Sequence, residues 1–398
     1  MSHDLWMTTR ARDQRHRPYG ADPEDRGRHA AALRGAERVL SRPSADRTTG
    51  ESLAALTAAA AEVHDPDDGV DVYGDGVVAV LEERVAGLLG KEAAAFFPTG
   101  TMAQQVALRC WAGRTGDATV ALHPLAHPEV HGQSAFGALS GLRTVHPTHE
   151  RRLPTADEVH EHPEPFGTLM LELPLREAGF VLPSWQELVD VVAAARERDA
   201  VVHFDGARLW ECVTHFGRPL DEIASLADSV YVSFYKSLDG LGGAVLAGPE
   251  SLIAEATVWR HRYGGRVFQQ YPTALSALIG IDRELPRLPA YVAHARVVAE
   301  ALRKGLHTVG VPYARVHPEV PMTHQFQVWL PRSAGELNEA TVRQAEETGT
   351  ALFRRWIAGP VPDLAYTEVT VAAAGLDWSA DEVHDALVDF VRRLPPHA

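Results

Sequence analysis

The chain has 398 residues, beyond the roughly 250–300 that a single hydrophobic core organises, so a large and a smaller domain are expected. Its 53 Asp and Glu against 38 Lys and Arg give a formal charge of −15, which argues against nucleic acid or an anionic membrane as a partner. Two cysteines without metal-site spacing exclude a disulfide framework and fit a reducing, cytoplasmic setting, and no apolar run approaches the roughly 20 residues needed to span a bilayer.

Residues 1–45 are rich in Arg, Asp and His, with a short basic run from Arg10 to Arg17 and no apolar stretch of the secretory kind. A weak apolar face over Gly27 to Leu40, made by Ala31, Leu33, Ala36 and Leu40, reads as a helix in a loosely attached arm, suited to a partner subunit or to remaining disordered. The Ala-rich stretch from Ser52 to Val63 predicts a helix, broken by Asp65 to Gly69. After the loop Asp71-Val72-Tyr73-Gly74-Asp75-Gly76, a second helix places Leu81, Val85, Leu88 and Leu89 on one face and stops at Gly90.

A short apolar element, Ala93 to Phe97, leads into Pro98-Thr99-Gly100-Thr101 and a helix carrying Met102, Val106 and Cys110. A Thr-Gly-Thr turn opening a helix offers backbone N–H groups, hydroxyls and the positive end of the dipole to a phosphate, although N-capping explains the same residues. His123, His127 and His131 follow the strand Thr119 to His123 at four-residue spacing. Pro124 and Pro128 interrupt any helix that would align them, so we expect no metal there and favour a histidine stacked on a planar cofactor.

The apolar run Thr168 to Leu173 reads as a buried strand, and Ser184-x-x-Glu187 as a capping box for a helix leading to a strand that ends in His203-Phe204-Asp205-Gly206-Ala207-Arg208. A further run, Val230 to Tyr235, ends at Lys236, with Gly240-Leu241-Gly242-Gly243 and the strand Gly243 to Gly248 beyond it. Parallel strands would deliver Asp205 and Lys236 to one carboxyl edge, where open α/β sheets bind ligands. The pair suits either a structural salt bridge or a pyridoxal site, with Lys236 on the aldehyde and Asp205 on the ring nitrogen. The glycines after Lys236 lack dinucleotide-binding spacing. From about residue 286 the pattern changes to a small α+β domain: strands at His324 to Leu330, Ala351 to Ile357 and Tyr366 to Ala372, and helices at Glu336 to Gly349 and after Ser379. The domains are therefore expected at 1–45 (the arm), 46–285 and 286–398.

Together, Asp71 to Gly74, Phe97 to Met102, Ala138-Leu139-Ser140-Gly141, His203 to Trp210 and Ser233 to Lys236 resemble the threonine aldolase / β-eliminating lyase family of pyridoxal-phosphate enzymes. The resemblance implies an α/β fold of the aspartate-aminotransferase type, a mostly parallel sheet flanked by helices with a small C-terminal domain. It also implies a homodimer or homotetramer with sites at subunit interfaces. Carried over residue by residue, it implies that Lys236 holds pyridoxal 5'-phosphate, Asp205 pairs with its ring nitrogen, Gly100 and Thr101 bind its phosphate and His127 stacks on its ring. It further implies that Arg208 contacts the substrate carboxylate and that Tyr73 reaches a neighbouring subunit's site.

The implied reaction is cleavage of the Cα–Cβ bond of L-threonine or a related β-hydroxy-α-amino acid to glycine and an aldehyde, with His127 or a water it positions as base. The alternatives are β-elimination to an α-keto acid and ammonia, and a weakly catalytic accessory protein that binds the cofactor. The sequence also departs from the family. Ala45 to Thr49 is a partial match to a carboxylate-binding segment, the strand Tyr366 to Val371 lacks an expected arginine, and the usual Asn-Thr-His-Asn stretch is replaced by Glu172-Leu173-Pro174-Leu175-Arg176. Arg176 is the residue expected to restore the missing charge at the substrate.

Overall fold

The computed structural model describes residues 23–41 and 46–396. The Arg10 to Arg17 run and Ala45 lie outside the described residues. The chain divides into two compact units: Arg47–Pro289, and the residues up to Asp46 joined with those from Ala290 onward.

The larger unit opens with helix α1 (Thr49–Val63), closed at its start by a reciprocal cap. The Thr48 hydroxyl accepts the Glu51 N–H at 3.2 Å, and the Glu51 carboxylate accepts the Thr48 N–H at 2.6 Å. Helix α2 (Val77–Leu89) buries Leu81, Val85 and Leu89 and ends at Gly90, whose φ of 60° is the left-handed conformation that glycine adopts without strain. Strand β1 (Ala93–Phe97), helix α3 (Gly100–Thr115), and strands β2 (Thr119–Ala121), β3 (Arg143–Val145) and β4 (Thr168–Glu172) follow. After them come helix α4 (Trp185–Glu197), capped by Ser184 and Glu187, and strands β5 (Val201–Gly206), β6 (Ser229–Ser233) and β7 (Ala244–Gly248).

These seven strands make one sheet in the order β1-β7-β6-β5-β4-β2-β3. Strand β7 runs against both of its neighbours and the other pairs are parallel. Every residue of β4, β6 and β7 is buried, which is why these strands read as continuous apolar runs rather than alternating ones. The run from Val230 to Tyr235 is strand only as far as Ser233, so Lys236 is carried by the turn beyond the sheet and not by the strand itself. Likewise β2 stops at Ala121, before His123.

Asp71, fully buried, ties a surface loop to this unit. Its carboxylate accepts the backbone N–H groups of Gln270 at 2.9 Å and Tyr271 at 2.7 Å, the start of the helix Tyr271–Arg283. A carboxylate at that place satisfies donors that the first helical turn leaves without partners.

In the other unit, a four-stranded antiparallel sheet has the order Ile357–Ala358, Ala365–Thr370, Gln325–Leu330, Arg315–His317. Two expectations are corrected here. The stretch from Ala351 to Ile357 is not one strand: Thr350–Ala351 and Ile357–Ala358 belong to different sheets, and between them Leu352, Phe353 and Trp356 are buried as loop residues. The segment from Gly27 to Leu40 is a helix only to Gly35, followed by the short strand Arg38–Val39 alongside Thr350–Ala351.

Nor are residues 23–41 loosely attached. Ala32, Leu33, Ala36 and Val39 share a buried cluster with Val342, Ala345 and Ala351, and Arg28 bridges Glu339 at 3.0 Å and Glu346 at 2.7 Å. The exposed ion pairs add little, so apolar burial holds the segment down. No helix among the described residues is long and apolar enough to cross a membrane.

Replacing Asp71 by Ala leaves two backbone donors buried without partners. The expected loss is roughly 2–4 kcal/mol, read as a lower unfolding midpoint in denaturant, with Asp71→Asn losing less because one acceptor remains.

Candidate active site

The parallel register of β4 and β5 sets Glu172 directly beside Asp205, both at the carboxyl edge of the sheet and both buried. Next to them a cavity of about 370 Å³ is lined by Gly100, Thr101, Gln104, His127, Asp205 and Lys236, together with Tyr231, Tyr235 and Gly242. Five of the residues expected from the sequence, Gly100, Thr101, His127, Asp205 and Lys236, thus share one cavity. Arg208 and Arg176 lie outside its immediate lining, but both act electrostatically on Lys236 and His127. Tyr73 does not line it. Its half-exposed ring packs edge-on against Phe268 at 5.3 Å and under the Arg266 guanidinium at 4.9 Å. The Ala138 to Gly141 motif also stays away: it ends a turn of π-helix in which the Ser140 hydroxyl donates to Gln105 at 2.6 Å.

At the start of α3 the two readings of Thr99-Gly100-Thr101 prove compatible. The Thr99 hydroxyl accepts the Met102 N–H at 3.2 Å, which is the N-cap, while Gly100 and Thr101 face the cavity with first-turn N–H groups. A side chain at position 100 has no room. A Cβ there would lie 1.9 Å from the Tyr231 hydroxyl, so glycine keeps this corner of the cradle open.

Burial and charge set the titration of the other groups. The Lys236 ammonium is pushed down from 10.5 to about 8, first by burial and then by Arg208, with Asp205 and Glu172 opposing. Burial raises Asp205, against the pull of Lys236, the Ala207 N–H and Arg208. Glu172 is raised to about 7 by burial and by the charge of Asp205 beside it. His127 is driven down to about 3 by burial and by Lys236, His131, Arg176 and Arg208, so its imidazole is neutral at any physiological pH.

In the sequence Glu172 stands only as part of a stretch that departs from the family, with no role of its own, although it ends an apolar run just as Asp205 does, and that was the available signal. Its carboxylate accepts the His127 N–H at 2.6 Å and the Arg176 N–H at 3.2 Å, fixing two loops from different crossovers to one strand end. Arg176 itself sits with Glu177 at 3.4 Å and His131 at 3.5 Å, and the Arg208 guanidinium lies over the Phe180 ring at 5.4 Å.

The sequence profile of the beta-eliminating lyases matches residues 44–330. The chain belongs to the beta-eliminating lyase family. It is similar to the low specificity L-threonine aldolase of Escherichia coli K12, 33% identical over 248 residues that cover 59% of this chain and 72% of that one. A low-specificity L-threonine aldolase of Arabidopsis thaliana is 28% identical over 300 residues, 72% of this chain and 81% of its own. Among solved structures, one assigned as an L-allo-threonine aldolase from Listeria monocytogenes superposes with a TM-score of 0.83 at 33% identity, covering 92% of this chain and 99% of the other.

This lyase is a pyridoxal-phosphate enzyme, and its cavity fits the cofactor. The glycine-lined cradle under the α3 N-terminus suits a phosphate, the buried Asp205 suits a protonated ring nitrogen, and the amine of Lys236 is the cavity's nucleophile. With Lys236 titrating near 8, attachment of pyridoxal phosphate to the apo lyase is expected to reach half its limiting rate near pH 8 and to rise with pH, since the neutral amine is the reactive form. Arg208→Gln removes a charge that depresses Lys236 and should shift that midpoint upward, measurable by following cofactor absorbance against pH.

Proposed function

We propose that the lyase cleaves the Cα–Cβ bond of L-threonine or a related β-hydroxy-α-amino acid, releasing glycine and an aldehyde. The observation that carries this reading is a neutral imidazole, His127, lining the same cavity as the amine of Lys236, because the reaction needs a base for a β-hydroxyl proton beside the point of attachment. The threonine aldolases to which the chain is similar support it.

Bound pyridoxal phosphate supplies an electron sink for the bond being broken. The protein's part is to orient and to move protons. Arg208 is the group for the substrate carboxylate, and seating the carboxylate fixes which bond at Cα stands across the cofactor plane. His127 receives the β-hydroxyl proton directly or through a water. Its basicity rises when it is needed: a carboxylate on Arg208 offsets one of the positive charges that hold the imidazole neutral. Arg176, half-buried where related enzymes carry Asn-Thr-His-Asn, serves as a second cation for the substrate.

Tyr73 belongs to the assembly rather than to its own chain's cavity. Exposed Val70, Val72, Tyr73, Val267 and Phe268 form an apolar surface that a second copy would cover, giving a homodimer or homotetramer. Light scattering is expected to give a mass of two or four chains, and a monomer at micromolar concentration would refute the assignment. The buried, unpaired thiols of Cys110 and Cys212 support a reducing, cytoplasmic setting.

Incubating the cofactor-loaded lyase with L-threonine and L-allo-threonine should yield glycine and acetaldehyde in equal amounts. An α-keto acid with ammonia in their place would overturn the aldol reading in favour of β-elimination. In the same assay Arg176→Ala should raise KM about tenfold or more, and an unchanged KM would remove Arg176 from substrate binding.

A further inference from the structure

Behind Asp205 runs a line of buried polar groups that the reaction does not touch. The Trp111 indole N–H donates to the Ser229 hydroxyl at 2.8 Å, and Ser229 Oγ lies 2.7 Å from His203 Nδ1. His203 Nε2 lies 2.9 Å from Gln104 Oε1. His203 and Ser229 are fully buried and Gln104 nearly so. Gln104 Nε2 is buried with no hydrogen-bond partner in the protein, yet the residue lines the cavity and acts on Asp205.

One direction runs unbroken from the indole to Gln104. An indole N–H can only donate, so the Ser229 oxygen accepts there and has its own proton free for His203 Nδ1. His203 is held neutral by burial, down to about 3, and with Nδ1 accepting from Ser229 its single ring proton sits on Nε2 and points at Gln104 Oε1. That leaves the Gln104 NH2 group directed to the Asp205 side. The opposite direction would set a carbonyl oxygen against a carboxylate.

We propose that Trp111, Ser229, His203 and Gln104 form a directional relay that presents an N–H donor to Asp205, making Gln104 a positioning residue that keeps Asp205 ionised against the cofactor's ring nitrogen. This rests on the assignment of Asp205 to that nitrogen. The other groups facing Asp205 do not replace the donor. Lys236 is committed to the aldehyde carbon, Arg208 to the substrate, Glu172 on β4 adds negative charge, and the Tyr231 phenol on β6 is held protonated by its burial. An amide is a neutral donor that favours the carboxylate without competing for the proton. Without it, the proton shared by Asp205 and the ring shifts toward the carboxyl group.

The holoenzyme loaded with pyridoxal phosphate labelled with 15N in the ring tests this by NMR at neutral pH. In the wild type the ring nitrogen is expected at its protonated shift, and in Gln104→Leu the protonated fraction should fall, with the protonated-to-neutral ratio down about tenfold. Two-bond 1H–15N correlations of the wild-type histidines should show His203 protonated on Nε2, a readout that needs no variant to fold. His203 protonated on Nδ1, or a Gln104→Leu spectrum identical to wild type while Asp205→Asn loses the ring proton, would overturn the relay alone. Asp205→Asn with an unchanged ring nitrogen would instead remove the Asp205 assignment, and the relay with it.

Discussion

Two carboxylates stand side by side at the end of parallel strands, and the local structure is arranged around that constraint. The β4–β5 register makes Glu172 and Asp205 neighbours with little access to water, where each raises the other's cost of ionisation. Such a pair is stable only if donors converge on it. The donors come from every direction: the His127 and Arg176 N–H groups on Glu172, the Ala207 N–H on Asp205, and the charges of Lys236 and Arg208. The sheet edge thus concentrates negative charge, and the loops that answer it form the catalytic cavity.

The same arrangement divides the work between the two acids. Glu172 spends its oxygens on backbone N–H groups and so holds loops, while Asp205 keeps an oxygen toward the cavity and is available to a ligand. Across the cavity, cations act on one another. Lys236 and the two arginines suppress protonation of His127, and Arg208 lowers Lys236 toward neutrality. Burial and the surrounding positive groups lower both His127 and Lys236, and an anion brought among them would offset that surplus.

What the sequence made legible follows from how local each signal is. Capping boxes at Ser184 and Ser379, the Gly90 stop and the buried runs around Asp205 depend on a few adjacent residues, and they stand where the pattern put them. The loop through Leu352, Phe353 and Trp356 was read as a strand because burial without periodicity looks the same in a strand and in a buried loop. Helix Pro23–Gly35 was read as loose because its few apolar residues are informative only against Val342 and Ala345, some 300 residues away. The roles of Gln104 and Glu172 were missed for a related reason: each looks ordinary in its own helix or strand and gains meaning only from Asp205, which the fold brings beside them.

The segment from Leu173 to Arg176 is tied to the sheet edge through its backbone. Glu172 grips Arg176 through the backbone N–H, a bond that every residue except proline can make, so this anchor does not depend on the side chain at position 176. The side chain at position 176 can therefore vary while the loop stays anchored. In this chain the segment buries Leu173 and Leu175 and leaves Arg176 as the polar group of the stretch, close enough to Lys236 and His127 to act on both.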